Sequence, residues 1–166
     1  ISGNQFKIRL FHEWVVRRPH AINVMIPKQG YGLQIGLEHS NSAIYGIFDY
    51  TRISSDVFIN YMPIKKLQVV IFERLKPLSV YGDNVPAQDL PAITNNAPIY
   101  LMGQNIFGIN ESIRLRGWNS WRLGDKLLYG TIEPRIGTQQ LVLASFIDFG
   151  NAWDNNNNTN DILYTC

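Results

Sequence analysis

The chain has 166 residues, with 15 Lys and Arg against 13 Asp and Glu, which gives a formal net charge of +2 and fits one domain or part of one. Charged residues make up 17% of the chain and hydrophobic ones 45%, so the charged fraction is below the roughly 25% usual for soluble domains and part of the surface is expected to face something other than water. Because the basic residues are few and scattered, the composition excludes an electrostatic nucleic-acid binder.

The single cysteine and the two ends of the sequence further limit the kinds of protein that this chain can be. Cys166 is the only cysteine, so the chain can form no internal disulfide and no cysteine-based metal cluster. No stretch approaches the ~18 to 20 consecutive apolar residues that a membrane-spanning helix needs. The sequence starts at Ile1 without the pattern of a signal segment and ends at Tyr164-Thr165-Cys166 within an apolar stretch. We therefore expect a fragment of a longer protein.

Two-residue alternation of apolar and polar side chains recurs along the chain, and each run predicts a β-strand with one apolar and one polar face. The runs, in chain order, are Gly32 to His39, Asp56 to Tyr61, Leu67 to Phe72, Leu128 to Arg135 and Leu141 to Gly150. No window has convincing helical spacing, and the 13 Gly and 8 Pro interrupt the sequence every few residues. The sequence therefore predicts an all-β fold.

The connections between the predicted strands differ greatly in length. Residues 136–140 form a short link between two strands, whereas the stretch from Lys76 to Asp125 runs for about fifty residues, a length that is usually functional or disordered in compact domains. Outer-membrane barrels have this asymmetry of short turns and long loops. Strand pattern alone leaves a soluble β-sandwich and a membrane barrel equally open. Aromatic residues near the strand ends fit core filling or a membrane-interface girdle: Phe48, Tyr50, Tyr61, Phe72, Tyr81, Tyr129, Phe149 and Trp153.

Three segments in the second half of the chain carry a family resemblance. Arg116-Gly117-Trp118 lies in the long connection, Glu133 lies in the strand that follows, and Asp148-Phe149-Gly150-Asn151-Ala152-Trp153 ends the next strand. In this order, the segments resemble the C-terminal barrel of the bacterial surface antigen superfamily, of the BamA and TamA type. In that family an Arg-Gly-aromatic motif lies in a loop folded back into the barrel, followed by a Glu and by an Asp-x-Gly-Asn-x-Trp segment.

The resemblance implies a transmembrane antiparallel β-barrel in the bacterial outer membrane. Residues 1–166 would be a partial barrel domain, the C-terminal portion without the first and last strands, with a lumen-entering loop at about 77–126. It implies a role in the assembly, insertion or translocation of proteins at that membrane. The expected partners are outer-membrane lipids, client outer-membrane or secreted proteins, and periplasmic modules of the same chain. No catalysis, cofactor, metal ion or nucleic acid is expected.

Carried over to this sequence, the resemblance makes Arg116 the loop-tip arginine and Glu133 and Asp148 its inward-pointing partners on the barrel wall. Both acids fall on the more polar face of their strands, and a guanidinium held by carboxylates would pin the loop. Gly117 would permit the turn and Trp118 would anchor the loop through apolar contacts. The open alternative is that Arg116 is a solvated loop residue and both acids are ordinary wall charges.

The predicted hairpin creates a difficulty for this site. A tight turn at Thr138-Gln139 would place Glu133 opposite Ala144, ~13 Å along the strand from Asp148 and too far for one arginine to contact both acids. A bulge, a different turn or the shear of a barrel would have to close that distance.

Two other functions stay open on the sequence. A barrel of this type can serve as an anchor or pore for an attached enzyme or propeller domain. The chain could also be a soluble β-sandwich that works as a binding module.

Overall fold

The computed structural model describes residues 6–19, 27–44, 46–64, 69–86, 89–94, 112–118, 121–137, 141–154 and 163–165. These residues form eleven strands and, within the described ranges, no α-helix, so the all-β prediction is confirmed. No helix of the described part is long and apolar enough to cross a membrane. The strands are β1 (Lys7–Pro19), β2 (Pro27–Ser40), β3 (Asp49–Ile64), β4 (Val69–Asn84), β5 (Ala92–Thr94), β6 (Ser112–Arg114), β7 (Trp121–Leu123), β8 (Lys126–Gly137), β9 (Val142–Ala144), β10 (Ile147–Trp153) and β11 (Leu163–Thr165).

The strands form two sheets. The main sheet is antiparallel in the order β1-β2-β3-β4-β8-β10-β11, with β9 also paired to β8. A small sheet in the order β6-β5-β7 is built by the long connection between β4 and β8, and its β5–β6 pair is parallel. Within the described residues the main sheet is open, with β1 and β11 at its edges, so the closure of the predicted barrel is not seen there.

Strand alternation gives the main sheet two unlike faces. The inner face, which the small sheet covers, holds the polar side chains: on β2, Glu38 is only 3% exposed. The opposite, outer face holds the apolar ones, and the neighbouring Ile35 and Leu37 are 46% and 41% exposed. This arrangement is the reverse of a soluble sheet, which buries its apolar face.

A small apolar core lies between the inner face and the small sheet. Ile93 of β5 and Leu115, just after β6, are fully buried there, and Trp118 packs against the same cluster. Burial of these side chains fixes the long connection to the sheet. The wall residues of this core are Phe48, Tyr50, Leu78, Val80, Leu127, Tyr129 and Ala152.

The long connection starts later than its predicted boundary of about 77, because β4 continues through Pro77 to Asn84. Proline has no N–H for the ladder, so it commonly ends a strand. Here the β3–β4 pairing passes from Ser54↔Leu78 to Val57↔Leu75, with a gap opposite Pro77. The strand therefore tolerates the missing donor by leaving a short unpaired stretch on one side.

The predicted strand from Leu141 to Gly150 is divided into β9 and β10. Both parts pair with β8 in one register, which would place Ser145 opposite Pro134. Ser145 N–H donates to Pro134 O at 3.2 Å, but Pro134 cannot return a hydrogen bond. The ladder is therefore weakened at the break. The predicted turn at Thr138-Gln139 lies outside the described residues.

Aromatic residues near the strand ends do not all lie on one face. Phe48, Tyr50 and Tyr129 are buried in the inner core, so for these three the girdle interpretation was wrong. Tyr61 and Tyr81 are exposed, at 37% and 51%. Alternation alone could not separate these two groups because the orientation of each strand was unknown.

Candidate functional site

The turn that carries Arg116 lies at the end of β6, over the inner face. Trp118 N–H donates to Leu115 O at 3.2 Å, which closes a four-residue turn with Arg116 and Gly117 at its centre. Gly117 has φ = 82°, a conformation that favours glycine and is typical of the third position of a type II turn. The buried Leu115 and the half-buried Trp118 anchor the two ends of the turn and project Arg116 toward the strands below it.

Arg116 contacts both predicted acids and one additional residue. Its Nε donates to Asp148 Oδ2 at 2.7 Å and its Nη2 to Asp148 Oδ1 at 2.6 Å, a bidentate pair. Nη1 donates to Glu133 Oε2 at 2.9 Å, and Nη2 also to Thr131 Oγ1 at 2.9 Å. The backbone N–H of Arg116 donates to Asp148 Oδ2 at 3.2 Å. We call Arg116, Thr131, Glu133 and Asp148 the arginine clasp.

The strand register explains how one arginine reaches both carboxylates. Ala144 faces Arg135 rather than Glu133, and Asp148 faces Thr131. The expected pairing was therefore wrong by two residues. With Thr131 opposite Asp148, Glu133 lies only two residues further along β8, or ~7 Å, on the same face. A guanidinium is wide enough to bridge that gap because its donors point along two edges.

Burial and charge make Asp148 the stronger of the two anchors. Its side chain is fully buried, whereas that of Glu133 is 14% exposed and that of Arg116 is 30% exposed. The hydrogen bonds that Arg116 donates to Asp148 are the largest cause that raises the pKa of Arg116 above its ordinary value, and those that it donates to Glu133 add to it. The loop arginine is therefore charged at any physiological pH.

Two further contacts complete the surroundings of the clasp. The Phe146 ring lies 3.7 Å from Arg116 Cζ, a cation–π contact. Arg135 Nε donates to Glu133 Oε1 at 2.7 Å, so this acid is shared between two cations. Sequence reasoning missed Thr131 and Phe146, although both flank the motif residues on the polar face.

A second polar group ties the start of the long connection to the first three strands. Lys7 Nζ donates to Asp89 Oδ1 at 2.5 Å, and Arg9 donates through Nε to Glu38 Oε2 at 2.8 Å. The Tyr50 hydroxyl lies 3.0 Å from both Glu38 Oε1 and Asp89 Oδ2. We call these five residues the lysine cluster. The alternation in β2 places Glu38 on the polar face, but no sequence pattern pointed to Asp89.

The arginine clasp and the lysine cluster both join the long connection to the main sheet through hydrogen bonds and ion pairs. Among the described residues, no group of three or more His, Cys, Asp or Glu side chains could hold a metal ion. No protein-family model matches the chain, and no curated protein or solved structure is significantly similar to it.

Proposed function

We propose that the chain forms part of the wall of a transmembrane β-barrel in a bacterial outer membrane, one that assembles, inserts or translocates other proteins. The observation that carries the proposal is the reversed polarity of the main sheet, with charges on the covered face and apolar side chains on the exposed one. Outer-membrane barrels have this polarity because lipid surrounds them and water fills their interior.

The outer face is apolar over several adjacent strands. Its exposed large side chains include Ile8, Leu10 and Trp14 on β1, Ile35 and Leu37 on β2, Ile53 and Ile59 on β3, Leu75 on β4, and Ile132 and Ile147 on β8 and β10. Monomeric soluble proteins rarely expose a continuous apolar surface of this kind. Contact with lipid removes the free-energy cost of exposing it to water.

Strand length and pairing suit a bilayer. The first four strands have 13 to 16 residues, more than the ~9 to 11 tilted residues that span the hydrocarbon layer. Neighbouring strands pair in long antiparallel ladders, which satisfies backbone groups that lipid cannot. Trp14 and Tyr31 pack edge to face at 5.4 Å on the outer face, and such aromatics favour the membrane interface.

Protein assembly or translocation is supported by the resemblance in residues 112–153. The three motif positions that define it, Arg116, Glu133 and Asp148, meet in one clasp. In the proposed barrel, this clasp would hold the folded-back loop in the lumen and fix the shape of the wall next to passing client proteins. No cofactor or covalent step is needed for that role.

Site-directed labelling in lipid vesicles tests the proposal. In a Cys166→Ser background of the intact protein, we would introduce Ile35→Cys on the outer face and Gln34→Cys on the inner face. We expect a membrane-impermeant maleimide to label only the Gln34 position, and a lipid-soluble maleimide to label the Ile35 position. Labelling of the Ile35 position by the impermeant reagent would contradict a lipid-facing wall and favour the soluble sandwich.

A further inference from the structure

A charged side chain lies in an apolar part of the outer face. Glu73 of β4 is directly opposite Ile59 of β3 on one side and Ile132 of β8 on the other. Leu75 follows two positions later on the same face. A carboxylate in contact with hydrocarbon is unfavourable unless it has polar partners. Within the proposed lipid-facing wall, Glu73 therefore needs a polar partner from the membrane.

A hollow of about 300 Å³ lies beside Glu73 on the outer face. Gly130 of β8 pairs with Leu75 on one side and with Phe149 on the other, and it adds no side chain that would fill the space between them. Apart from Glu73, the side chains that line the hollow on this face are apolar: Val57, Ile59, Leu75, Ile132 and Phe149. The hollow therefore combines one carboxylate with an apolar surface.

The carboxylate gives the hollow a negative charge. Arg74 also borders the hollow, but its side chain lies on the inner face, where Arg74 Nε donates to Asp56 Oδ1 at 2.8 Å. On the outer face, the Tyr61 hydroxyl donates to Glu73 Oε1 at 3.2 Å, and this neutral donor leaves the charge in place. Because the two oxygens of a carboxylate accept several hydrogen bonds, Glu73 can accept further ones from a cation that carries N–H groups.

The position of Glu73 along its strand places it near the boundary of the proposed bilayer. Glu73 lies four positions after the start of β4, whose 16 residues exceed the ~9 to 11 that span the hydrocarbon layer. Its partner Tyr61 is 37% exposed, and Tyr31 lies in the same row across the sheet, opposite Ile59. Tyrosine favours the membrane interface. At that depth, lipid head groups supply the cations.

We propose that Glu73 and the hollow beside it bind a phospholipid with a primary ammonium head group, an inference that rests on the proposed lipid-facing wall. The ammonium donates to the Glu73 carboxylate, and the start of an acyl chain packs against Leu75 and Phe149. A primary ammonium has three N–H donors, whereas the quaternary ammonium of phosphatidylcholine has none. Both head groups carry the same charges, so selection between them depends on hydrogen bonding.

Native mass spectrometry of the intact protein tests the site. The protein in detergent would be mixed with equal amounts of phosphatidylethanolamine and phosphatidylcholine that have identical acyl chains. We expect the first bound lipid to be phosphatidylethanolamine, with about fivefold higher affinity, the size of effect expected for one hydrogen bond. Equal affinities for the two lipids would overturn the site.

Matched variants localise the preference. Glu73→Gln removes the charge with little change of size and should abolish the preference for phosphatidylethanolamine. Glu13→Gln makes the same change on the inner face of β1 and should leave the preference intact. A preference that persists in Glu73→Gln would show that the head group is recognised elsewhere and would overturn the site.

A second variant tests the site with the carboxylate present. Ile59→Lys places an ammonium of the protein directly opposite Glu73, where it should compete with the lipid and abolish the preference. Circular dichroism would check that both variants fold, and either one that folds decides the question. An unchanged preference in Ile59→Lys would also overturn the site.

Failure of the site and failure of the proposed wall give different results. Labelling of Ile35→Cys by the impermeant maleimide would contradict the wall, and the lipid site would fail with it. Protection of that position, together with equal affinities for the two lipids, would overturn only the site at Glu73.

Discussion

The arginine clasp and the lysine cluster both fasten the long connection to the wall, but they differ in how the contacts are shared among their residues. In the clasp, one side chain from the connection makes every side-chain contact: Arg116 reaches Asp148, Glu133 and Thr131. In the lysine cluster, two wall residues, Lys7 and Tyr50, donate to Asp89. Both of them also contact Glu38. Removal of Arg116 therefore takes away every side-chain contact of the clasp, whereas removal of either Lys7 or Tyr50 leaves Asp89 with the other, so the cluster is redundant on its wall side.

The largest loss of stability is expected when Arg116, which makes every side-chain contact of the clasp, is removed. Arg116→Ala would leave the fully buried Asp148 carboxylate without its bidentate partner, and loss of one member of a buried ion pair costs ~3 to 5 kcal/mol. We expect a loss of about 3 kcal/mol in the free energy of unfolding, because Arg116 itself is partly exposed. Urea unfolding in lipid vesicles measures it.

The same variant tests the proposed function through client assembly in vesicles. Arg122→Ala is the control, since it removes an arginine of the same small sheet that contacts Asn151 instead. We expect reduced client assembly for Arg116→Ala and near-normal assembly for the control. Unchanged assembly together with unchanged unfolding in Arg116→Ala would remove any role for the clasp.

A second comparison lies within the clasp, between its two acids. Asp148→Asn removes the charge from a buried acceptor of three hydrogen bonds, whereas Glu133 is partly exposed and is also held by Arg135. We expect Asp148→Asn to cost about 2 kcal/mol and Glu133→Gln about 1 kcal/mol in unfolding free energy. Equal costs in the same unfolding assay would show that burial does not rank the two anchors.

The smallest effect is expected in the redundant group. Tyr50→Phe removes one hydroxyl from the lysine cluster but leaves Lys7 on Asp89 and Arg9 on Glu38. Loss of a neutral donor whose acceptors keep charged partners should cost about 1 kcal/mol or less. A cost as large as that of Arg116→Ala in the unfolding assay would mean that the cluster is not redundant.

The two groups also differ in how far the sequence predicted them. Alternation placed Glu133 and Asp148 on one polar face, and the motif supplied Arg116 as their partner. The register between the two strands could not be predicted, because it depends on a turn whose geometry the residues 136–140 do not specify. The observed pairing of Asp148 with Thr131 is what brings both acids within reach.

The lysine cluster was missed because its contacts join residues far apart in the chain. Lys7 and Asp89 are separated by 82 positions, and neither belongs to a local pattern. The start of the long connection was placed too early for a different reason, since the alternation at Leu67 to Phe72 marks only the first part of β4, which continues to Asn84. Local rules therefore predicted parts of β2, β3, β4, β8 and β10 and the alternation of their faces, but they missed β1 and the short strands of the long connection. Long-range packing decided the ends of the strands and most of the loop contacts.

The position of the clasp residues along the chain has a consequence for the order of folding. Asp148 follows Arg116 by 32 positions and lies on β10, which pairs with β8. Arg116 therefore has no complete set of acceptors until both of those strands are in place. Since the entropy of closing the intervening chain must be paid before a non-local contact stabilises the fold, we expect closure of the clasp to be a late step. The loop would then be fixed by Arg116 only after this part of the wall has formed.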